Sequence, residues 1–296
     1  IHIFFNGGPS QMDSFDPKPM LTRYDGKALP VRSPETENMT GAAFGSPFKF
    51  KKYGQSGIEL SELFPHIGRV IDKMCVIRSM HTDSVTHTPS LMMMNSGTLT
   101  QTTPAMGSWV TYGLGTENRS LPGFVVLCPG GLPIAGPNNW RSAFLPSVYQ
   151  GTLVDTDNTD VERLIADVRN RKIGTEQQRR QIDLLQQLNS SHRKRTGADD
   201  ALDARIESYE LAYRMQAAAS DAFDIRSEPA YIRDMYGESA QGRQLLIARR
   251  LVERGVRFVQ CWHGKNQPWD NHDKLEQEHR FRAKECDQGI GALIAD

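Results

Sequence analysis

The chain has 296 residues, 38% of them hydrophobic and 24% charged, which indicates a globular protein with room for one large α/β domain or two smaller ones. Lys and Arg together number 35, as do Asp and Glu, so nothing in the net charge points to nucleic acid or an anionic membrane surface. No run is long and apolar enough to span a bilayer. Four scattered cysteines without CxxC spacing argue against a zinc ribbon or a disulfide scaffold, and the apolar runs around Cys75 and Cys261 predict buried thiols.

The first predicted element is a buried strand, Ile1–Phe5, apolar on both faces as a central parallel strand is. Asp13 and Asp16 follow in a Pro-containing loop, where two carboxylates could hold a divalent cation. Ordinary turn chemistry explains the same residues equally well. Because residue 1 lies inside this strand pattern and the last residues, 288–296, inside a helical one, we expect the chain to be an excerpt without its leader.

Residues 20–57 have little helical or strand periodicity, which predicts an extended segment on the protein surface. An amphipathic stripe predicts a helix over Leu60–Lys73, and Met74–Arg78 is predicted to be a second strand. The apolar members of the stripe are Leu60, Leu63, Phe64, Ile67, Val70 and Ile71.

A polar loop, 81–86, then leads into His87–Gly97, which has the features of a functional turn. Pro89 is tolerated in the first turn of a helix, and Gly97 is a typical C-terminal stop. A side chain just before such a helix faces free backbone N–H groups, where phosphate or sulfate binds. The alternative is an ordinary buried helix in which His87 is a cap or a core histidine.

The middle of the chain predicts a helix near Pro104–Leu114, a third strand at Gly123–Leu127 and a loop over residues 128–152. Over residues 159–254 Gly and Pro become sparse and leucines recur at helical spacing, which predicts a helical hairpin or bundle with a turn near Gly197. Arg193, Lys194 and Arg195 are expected to be solvated. Loop aromatics expected to be anchors or pocket walls are Trp140, Phe144 and Tyr149.

The last predicted units are a helix at Leu245–Arg254, a strand at Val256–Trp262 and a polar loop, His263–Asp273. Asp270 and His272, two residues apart in this loop, could face one ion. An imidazole with carboxylates suits zinc, manganese or iron better than calcium.

These segments resemble two groups of known proteins, a broad one and a more specific one. Sulfatases carry a Cys-x-Pro-Ser-Arg segment that runs on to a Thr-Gly, and Pro89, Ser90 and Gly97 match that frame. His87 stands in the place of the Cys that becomes formylglycine, and Leu91 in that of the Arg. More closely, the whole chain resembles an uncharacterised, exported bacterial family, domain of unknown function 1501, considered sulfatase-like within the alkaline phosphatase/sulfatase superfamily. The resemblance to this family rests on residues 7–19, 106–115 and 269–272.

This resemblance implies a three-layer α/β sandwich with a mainly parallel sheet, alkaline-phosphatase-like, in one domain over 1–296 with the helical segment 159–254 inside it. Family members continue beyond this chain, so the C-terminal part of the fold is expected to be missing here. The implied activity is metal-dependent hydrolysis of a small-molecule or glycan sulfate or phosphate ester by an exported protein, with zinc, manganese and calcium open as the ion. The expected site is His87 and, as fallback nucleophile, Ser84 for catalysis; Asp13, Asp270 and His272 for metal; Asn6 and His263 for substrate.

Two other functions stay open at this point. Because the Cys and Arg positions are lost, the chain could be a non-catalytic relative that binds a sulfated glycan or a partner protein. A nucleotide-binding module has only Gly7-Gly8 in its favour, since no GxGxxG or GxxxxGK[ST] motif is present.

Overall fold

The computed structural model describes residues 1–28, 41–158, 164, 173–197, 206, 209–215 and 221–296. Four parallel strands form the main sheet in the order β1-β6-β4-β5, and two antiparallel strands, β2 and β3, form a separate hairpin. The strands are β1 (His2–Phe4), β2 (Phe50–Tyr53), β3 (Ile58–Ser61), β4 (Phe124–Cys128), β5 (Thr152–Asp155) and β6 (Phe258–Trp262).

The sheet is covered on both faces. Successive side chains of a strand point to opposite faces, and in β4 they divide between two hydrophobic clusters: Val125 and Leu127 belong to one, Phe124 and Val126 to the other. This alternation defines three layers, and the expected α/β sandwich with a mainly parallel sheet is confirmed. The helices are α1 (Pro19–Arg23), α2 (Pro65–Arg69), α3 (His87–Ser96), α4 (Met106–Leu114), α5 (Thr175–Thr196), α6 (Ala230–Tyr236), α7 (Ala240–Glu253) and α8 (Leu275–Ala295).

One face carries α2, α7 and α8, and the other carries α3 and α4. Leu245 of α7 and Ile290 of α8 pack in the first cluster with Val125, whereas Leu91 of α3 packs in the second with Phe124. Because α7 leads directly into the parallel strand β6, the N-terminus of α7 lies at the carboxyl ends of the strands. The edge of the sheet that carries ligands in open α/β folds is therefore built from the loops after the strands and one helix N-terminus.

The predicted strand Met74–Arg78 is wrong. These residues are irregular and largely exposed: Cys75 is an exposed thiol and Ile77 is 62% exposed. A run of apolar residues becomes a strand only where a neighbour pairs with it and a layer covers it, and this segment has neither in the described part of the chain. Cys261, in contrast, is buried as predicted.

The predicted helix Leu60–Lys73 is wrong in extent. The segment divides into the end of β3, the short helix α2 and a 3-10 turn at Ile71–Lys73. Pro65 disfavours a helical conformation in the residue before it and fits the first turn of a helix, so α2 begins at Pro65. Of the predicted stripe, Val70 alone is only partly buried; the fully buried members are Leu60, Leu63, Phe64, Ile67 and Ile71.

The first strand is confirmed, but not as a buried central strand: within the described sheet β1 lies at an edge and is only partly buried. The helix α3 with its left-handed Gly97 stop and the strands β4 and β6 lie where the sequence predicts them. The helices α7 and α8 are confirmed but begin earlier than predicted, at Ala240 and at Leu275. In α3 the buried side chains are Leu91, Met92 and Asn95, while Met94 is 47% exposed.

The predicted helical segment 159–254 is described only in part. Its described portions include α5, the helical residues 209–215, α6 and α7. Arg179 of α5 donates to both carboxylate oxygens of Glu210, at 2.8 and 3.0 Å, which pairs α5 with the helical residues 209–215 as a hairpin requires. Arg193, Lys194 and Arg195 are exposed as expected, and α5 ends at Gly197.

The three loop aromatics have different environments. Trp140 is buried against Trp262, and Tyr149 lines a cavity beside α4. Phe144, at 65% exposed, is not an anchor. Among the described helices, none has both the length and the apolar character needed to cross a bilayer.

Candidate functional site

The loops after β1 and β6 are bonded to each other at the carboxyl edge of the sheet. Trp269 donates its backbone N–H to the carbonyl of Asn6 at 3.0 Å, and the Asn6 side chain donates to the carbonyl of Gly264 at 3.1 Å. Asn6 is completely buried. The amide nitrogen of Asn6 therefore holds the two loops together, while its Oδ1 has no hydrogen-bond partner among the described residues.

Asp270 is the centre of the candidate site. One carboxylate oxygen, Oδ2, lies 3.0 Å from His87 Nε2 and 2.8 Å from Gln267 Nε2, while Oδ1 lies 2.8 Å from His272 Nε2. The structure thus brings together three of the predicted site residues, although His87 and Asp270 are 183 positions apart in the chain. Gln267 is a partner that the sequence analysis did not identify.

The carboxylate fixes the tautomer of His87. An ionised carboxylate only accepts hydrogen bonds, so His87 donates from Nε2 and the neutral ring carries its lone pair on Nδ1. Asp270 is partly buried, with its side chain 18% exposed. A carboxylate also orients the histidine base of catalytic triads, there through Nδ1, whereas Asp270 bonds Nε2 of His87. His87 is the first residue of the ten-residue helix α3, and its side chain is 36% exposed.

Ser84 lies in the turn before α3, and its hydroxyl takes part in that turn. Its Oγ accepts the backbone N–H of Thr86 at 3.2 Å and lies 3.3 Å from Thr86 Oγ1, while the carbonyl of Ser84 accepts from Ser90 Oγ at 2.8 Å. These bonds set the entry of the chain into α3. They give Ser84 a structural role, and its hydrogen-bond partners in the described part of the chain include no side-chain base.

Asp13 is buried on another side of the β1 loop. Its Oδ2 accepts from Ser10 Oγ at 2.6 Å, and the backbone N–H of Ser10 donates to His279 Nε2 at 3.1 Å. Burial lowers the pKa of His279, although the nearby Asp13 carboxylate works in the opposite direction. Asp16 pairs with Lys18 at 2.7 Å. Both carboxylates thus have partners in their own part of the fold.

The fit of a metal ion is incomplete. Two imidazoles and a carboxylate are suitable donors for zinc or manganese. His87 and His272 nevertheless bond opposite oxygens of Asp270, and Asp13 does not join them. In the residues that the structure describes, no three His, Cys, Asp or Glu side chains are placed to hold an ion together.

His263 is buried between Trp269 and Glu285. The indole Nε1–H of Trp269 donates to His263 Nδ1 at 2.8 Å, so the neutral imidazole has its proton on Nε2, which lies 3.4 Å from Glu285 Oε2. Burial raises the pKa of Glu285, but hydrogen bonds from His263 and Arg282 outweigh it and hold that pKa below its usual value. His263 can therefore donate to a polar ligand, whereas metal ligation through Nε2 would require the other tautomer.

A polar network beneath α3 was also missed by the sequence analysis. Gln260, in the middle of β6, donates to Asn95 Oδ1 at 2.6 Å, and Asn95 donates to the carbonyl of Leu91 at 2.8 Å and to Asn139 Oδ1 at 3.4 Å. This network joins the helix that begins at His87 to the sheet. The one available signal was a glutamine inside an otherwise apolar strand.

Comparison with known proteins places the chain in a family without assigning an activity. A family model described as "Protein of unknown function (DUF1501)" matches residues 1–296, so the chain belongs to that family. Searches of curated proteins and of solved structures found no match.

Proposed function

We propose that this chain belongs to a hydrolase of sulfate or phosphate esters in which His87 is the general base or the nucleophile. The observation that supports the proposal best is the bond between His87 Nε2 and Asp270 at 3.0 Å, at the first residue of α3. A paired histidine at a helix start combines a basic nitrogen with backbone N–H groups that attract oxyanions.

The site residues have different roles in the proposed ester hydrolysis. The Nδ1 lone pair of His87 removes a proton from the attacking water, or attacks the sulfur or phosphorus atom directly, and the bond to the ester oxygen breaks. In the direct route, water then cleaves the bond to His87. Asp270 keeps Nε2 protonated and stabilises the imidazolium that forms. His272 lies on the other oxygen of Asp270, with Nε2 2.8 Å from Oδ1, and supports that carboxylate. The departing alcohol takes its proton from Nδ1 of the His87 imidazolium in the general-base route, and from water in the direct route.

Ancestry in the alkaline phosphatase/sulfatase superfamily is part of this proposal. It is supported by the resemblance over residues 87–97 and by the parallel sheet with its site at the carboxyl edge. Export from a bacterial cell is a proposal from the same resemblance, and fractionation of the source cells for the intact protein tests it.

A second candidate is a non-catalytic protein that binds a sulfated glycan or a partner protein. It is favoured by Leu91, which is buried in the core at the position where sulfatases have an arginine. Without that side chain, α3 offers no cationic group of its own to a transferring sulfate or phosphate.

The deciding experiment is hydrolysis of an aryl sulfate and an aryl phosphate by the purified protein. We expect His87→Ala to lower kcat/KM by roughly 10²-fold or more, the usual contribution of a general base. Ser84→Ala is the matched control and should stay within a few-fold of the wild type. Hydrolysis that is equal in the His87→Ala variant contradicts the proposal, and no hydrolysis by the wild type favours the binding protein.

Metal dependence is a separate proposal, in which Asp270 and His272 contribute two ligands. It is tested by the metal content of the purified protein beside the His272→Ala variant. Near-stoichiometric zinc, manganese or calcium that is lost in the variant supports it. Equal metal content in the two proteins contradicts it.

A further inference from the structure

A cavity of about 520 Å³ lies at the carboxyl edge of the sheet, beside the Asp270 site and separate from it. Its walls come from the loop after β4 at Pro129 and Gly130, the loop after β6, and the start of α7 at Ala240. Two neighbouring strands whose following loops diverge are where open α/β sheets bind small ligands. The cavity volume is in the range of small-molecule sites.

Gln241, in the first turn of α7, lines this cavity and is only 1% exposed. Neither its amide nitrogen nor its amide oxygen has a hydrogen-bond partner among the residues that the structure describes. An unpartnered buried amide costs stability, so such a group is expected to serve a ligand or ordered water. Gln244, one turn along the same helix, differs at its nitrogen, which donates to the carbonyls of Leu127 and Trp262 at 2.8 and 3.2 Å. Only its Oε1 has no partner among the described residues.

The charged part of the wall has two cations, Lys265 and Arg282, and two carboxylates, Asp157 and Glu285. Lys265 is exposed at the cavity, where α7 begins at Ala240 and Gln241. The first N–H groups of a helix lack partners within it, although Ser239 Oγ accepts the N–H of Gly242 at 2.9 Å. Arg282 also lines the cavity, but it is paired with Glu285 at 3.0 Å, which neutralises that carboxylate. Asp157, the other carboxylate of the wall, is exposed.

From this arrangement we infer that the cavity binds a small molecule through a tetrahedral oxyanion, a phosphate or a sulfate group, held by Lys265, the amide N–H of Gln241 and the start of α7. A lysine and a helix N-terminus suit a compact tetrahedral phosphate or sulfate group, since they supply a point charge and converging N–H groups. A planar carboxylate would be matched better by an unpaired arginine fork, which the cavity does not have among its described residues.

The inference goes beyond the proposed esterase and does not depend on it. Gln267 connects the two places, because it lines the cavity and also donates to Asp270 Oδ2 at 2.8 Å. A ligand in the cavity would therefore contact a residue that positions the carboxylate beside His87.

The test is calorimetric titration of inorganic phosphate, inorganic sulfate and acetate into the purified protein and four variants. We expect saturable binding of phosphate or sulfate, and weaker or no binding of acetate. Lys265→Ala and Gln241→Leu should weaken oxyanion binding at least tenfold, while His87→Ala should leave it unchanged.

The thermal midpoint of the same variants checks that each loss is local. Gln241→Leu removes an unpartnered amide, so its midpoint should equal or exceed that of the wild type. Gln244→Leu, the matched variant, breaks two buried bonds and should lower it.

Three results would overturn the inference: no oxyanion binding by the wild type, oxyanion affinity unchanged in both Lys265→Ala and Gln241→Leu, or acetate binding more tightly than either oxyanion. Binding that is lost in His87→Ala and kept in Lys265→Ala would also overturn it, while supporting the esterase site.

Discussion

Gly7 is the residue at which the loop after β1 comes closest to the backbone around Asp270. It has φ +103°, and a Cβ added there would lie 2.7 Å from both Asp270 N and Gln267 O. Both contacts are with backbone, so they can be relieved only by moving the loop that carries Asp270. Gly7 therefore determines how near the two loops of the candidate site can lie.

We predict that Gly7→Ala lowers the free energy of unfolding by about 1–3 kcal/mol, the usual range for overpacking with backbone strain. Gly8→Ala is the control: Gly8 also has a positive φ, +81°, but an added Cβ meets nothing within 4 Å. It should show only the backbone strain, about 1 kcal/mol. Urea unfolding measures the free energy of unfolding of both variants. Equal losses of stability would show that the close contact at Gly7 does not affect stability.

At the same scale, the sequence indicated the chemical groups of the site but not their partners. His87, Asp270 and His272 were predicted from their positions beside a helix start and a strand end. The bond between His87 and Asp270 depends on how the chain closes over 183 positions, which no local pattern encodes. Gln241 and Gln267 carry no motif, because an amide becomes informative only once its burial is known.

Helices α7 and α8 pack at a point where both lack a side chain. A Cβ added at Gly289 of α8 would lie 2.8 Å from the Cα of Gly242 in α7 and 3.3 Å from Leu245 Cδ1. The glycine pair thus allows a close backbone approach beneath the N-terminus of α7, the same end that lines the cavity.

We predict that Gly289→Ala destabilises the protein by about 1–3 kcal/mol, because the separation of the helices outweighs the gain in helix propensity of up to about 1 kcal/mol. Gly113→Ala is the matched change in α4, where an added Cβ meets nothing within 4 Å. That variant should be neutral or slightly more stable. Thermal unfolding of the pair tests this, and a Gly289→Ala protein as stable as the wild type would mean that the contact is not tight.

The elements that the sequence predicted correctly are those whose signals are local and mutually consistent. In α3 a first-turn proline and a terminal glycine agree with the burial of Leu91 and Met92. Met74–Arg78 had only an apolar run, and a strand also needs a partner that lies elsewhere in the chain. For the residues after Leu60, the predicted core was largely right and the helix wrong, since a strand followed by a short helix buries most of the same side chains.

At the scale of the whole molecule, the predicted α/β class follows from strands that alternate with helices, whereas the strand order does not. Strand β1 is first in sequence and pairs with β6, 258 positions away at His2 and Gln260. That pairing brings the loop after β1 to Asp270. The geometry of the candidate site is therefore a property of the assembled sheet and not of any one segment.

Burial of histidines makes the stability of the assembled molecule sensitive to acid. The pKa of His279 is lowered by burial, against the pull of Asp13, and burial also lowers the pKa of His2. In the unfolded chain a histidine has a pKa of about 6.5. As the pH falls below that value, the unfolded chain takes up protons that the native protein does not bind. The free energy of unfolding must then decrease with falling pH.

We predict a lower urea midpoint at pH 5.5 than at pH 7.5, and a smaller difference between the two in His279→Gln, where one of the titrating groups is gone. Asp287 contributes to the pH dependence in the opposite direction. Burial raises its pKa, so the native protein binds this proton at a higher pH than the unfolded chain does, and the contribution favours the native state as the pH falls. Its contribution is present in both proteins and cancels when the two pH differences are subtracted. The glutamine oxygen can accept the N–H of Ser10 as His279 Nε2 does, so the variant should still fold. An equal loss on acidification in both proteins would mean that His279 titrates alike in the folded and unfolded states.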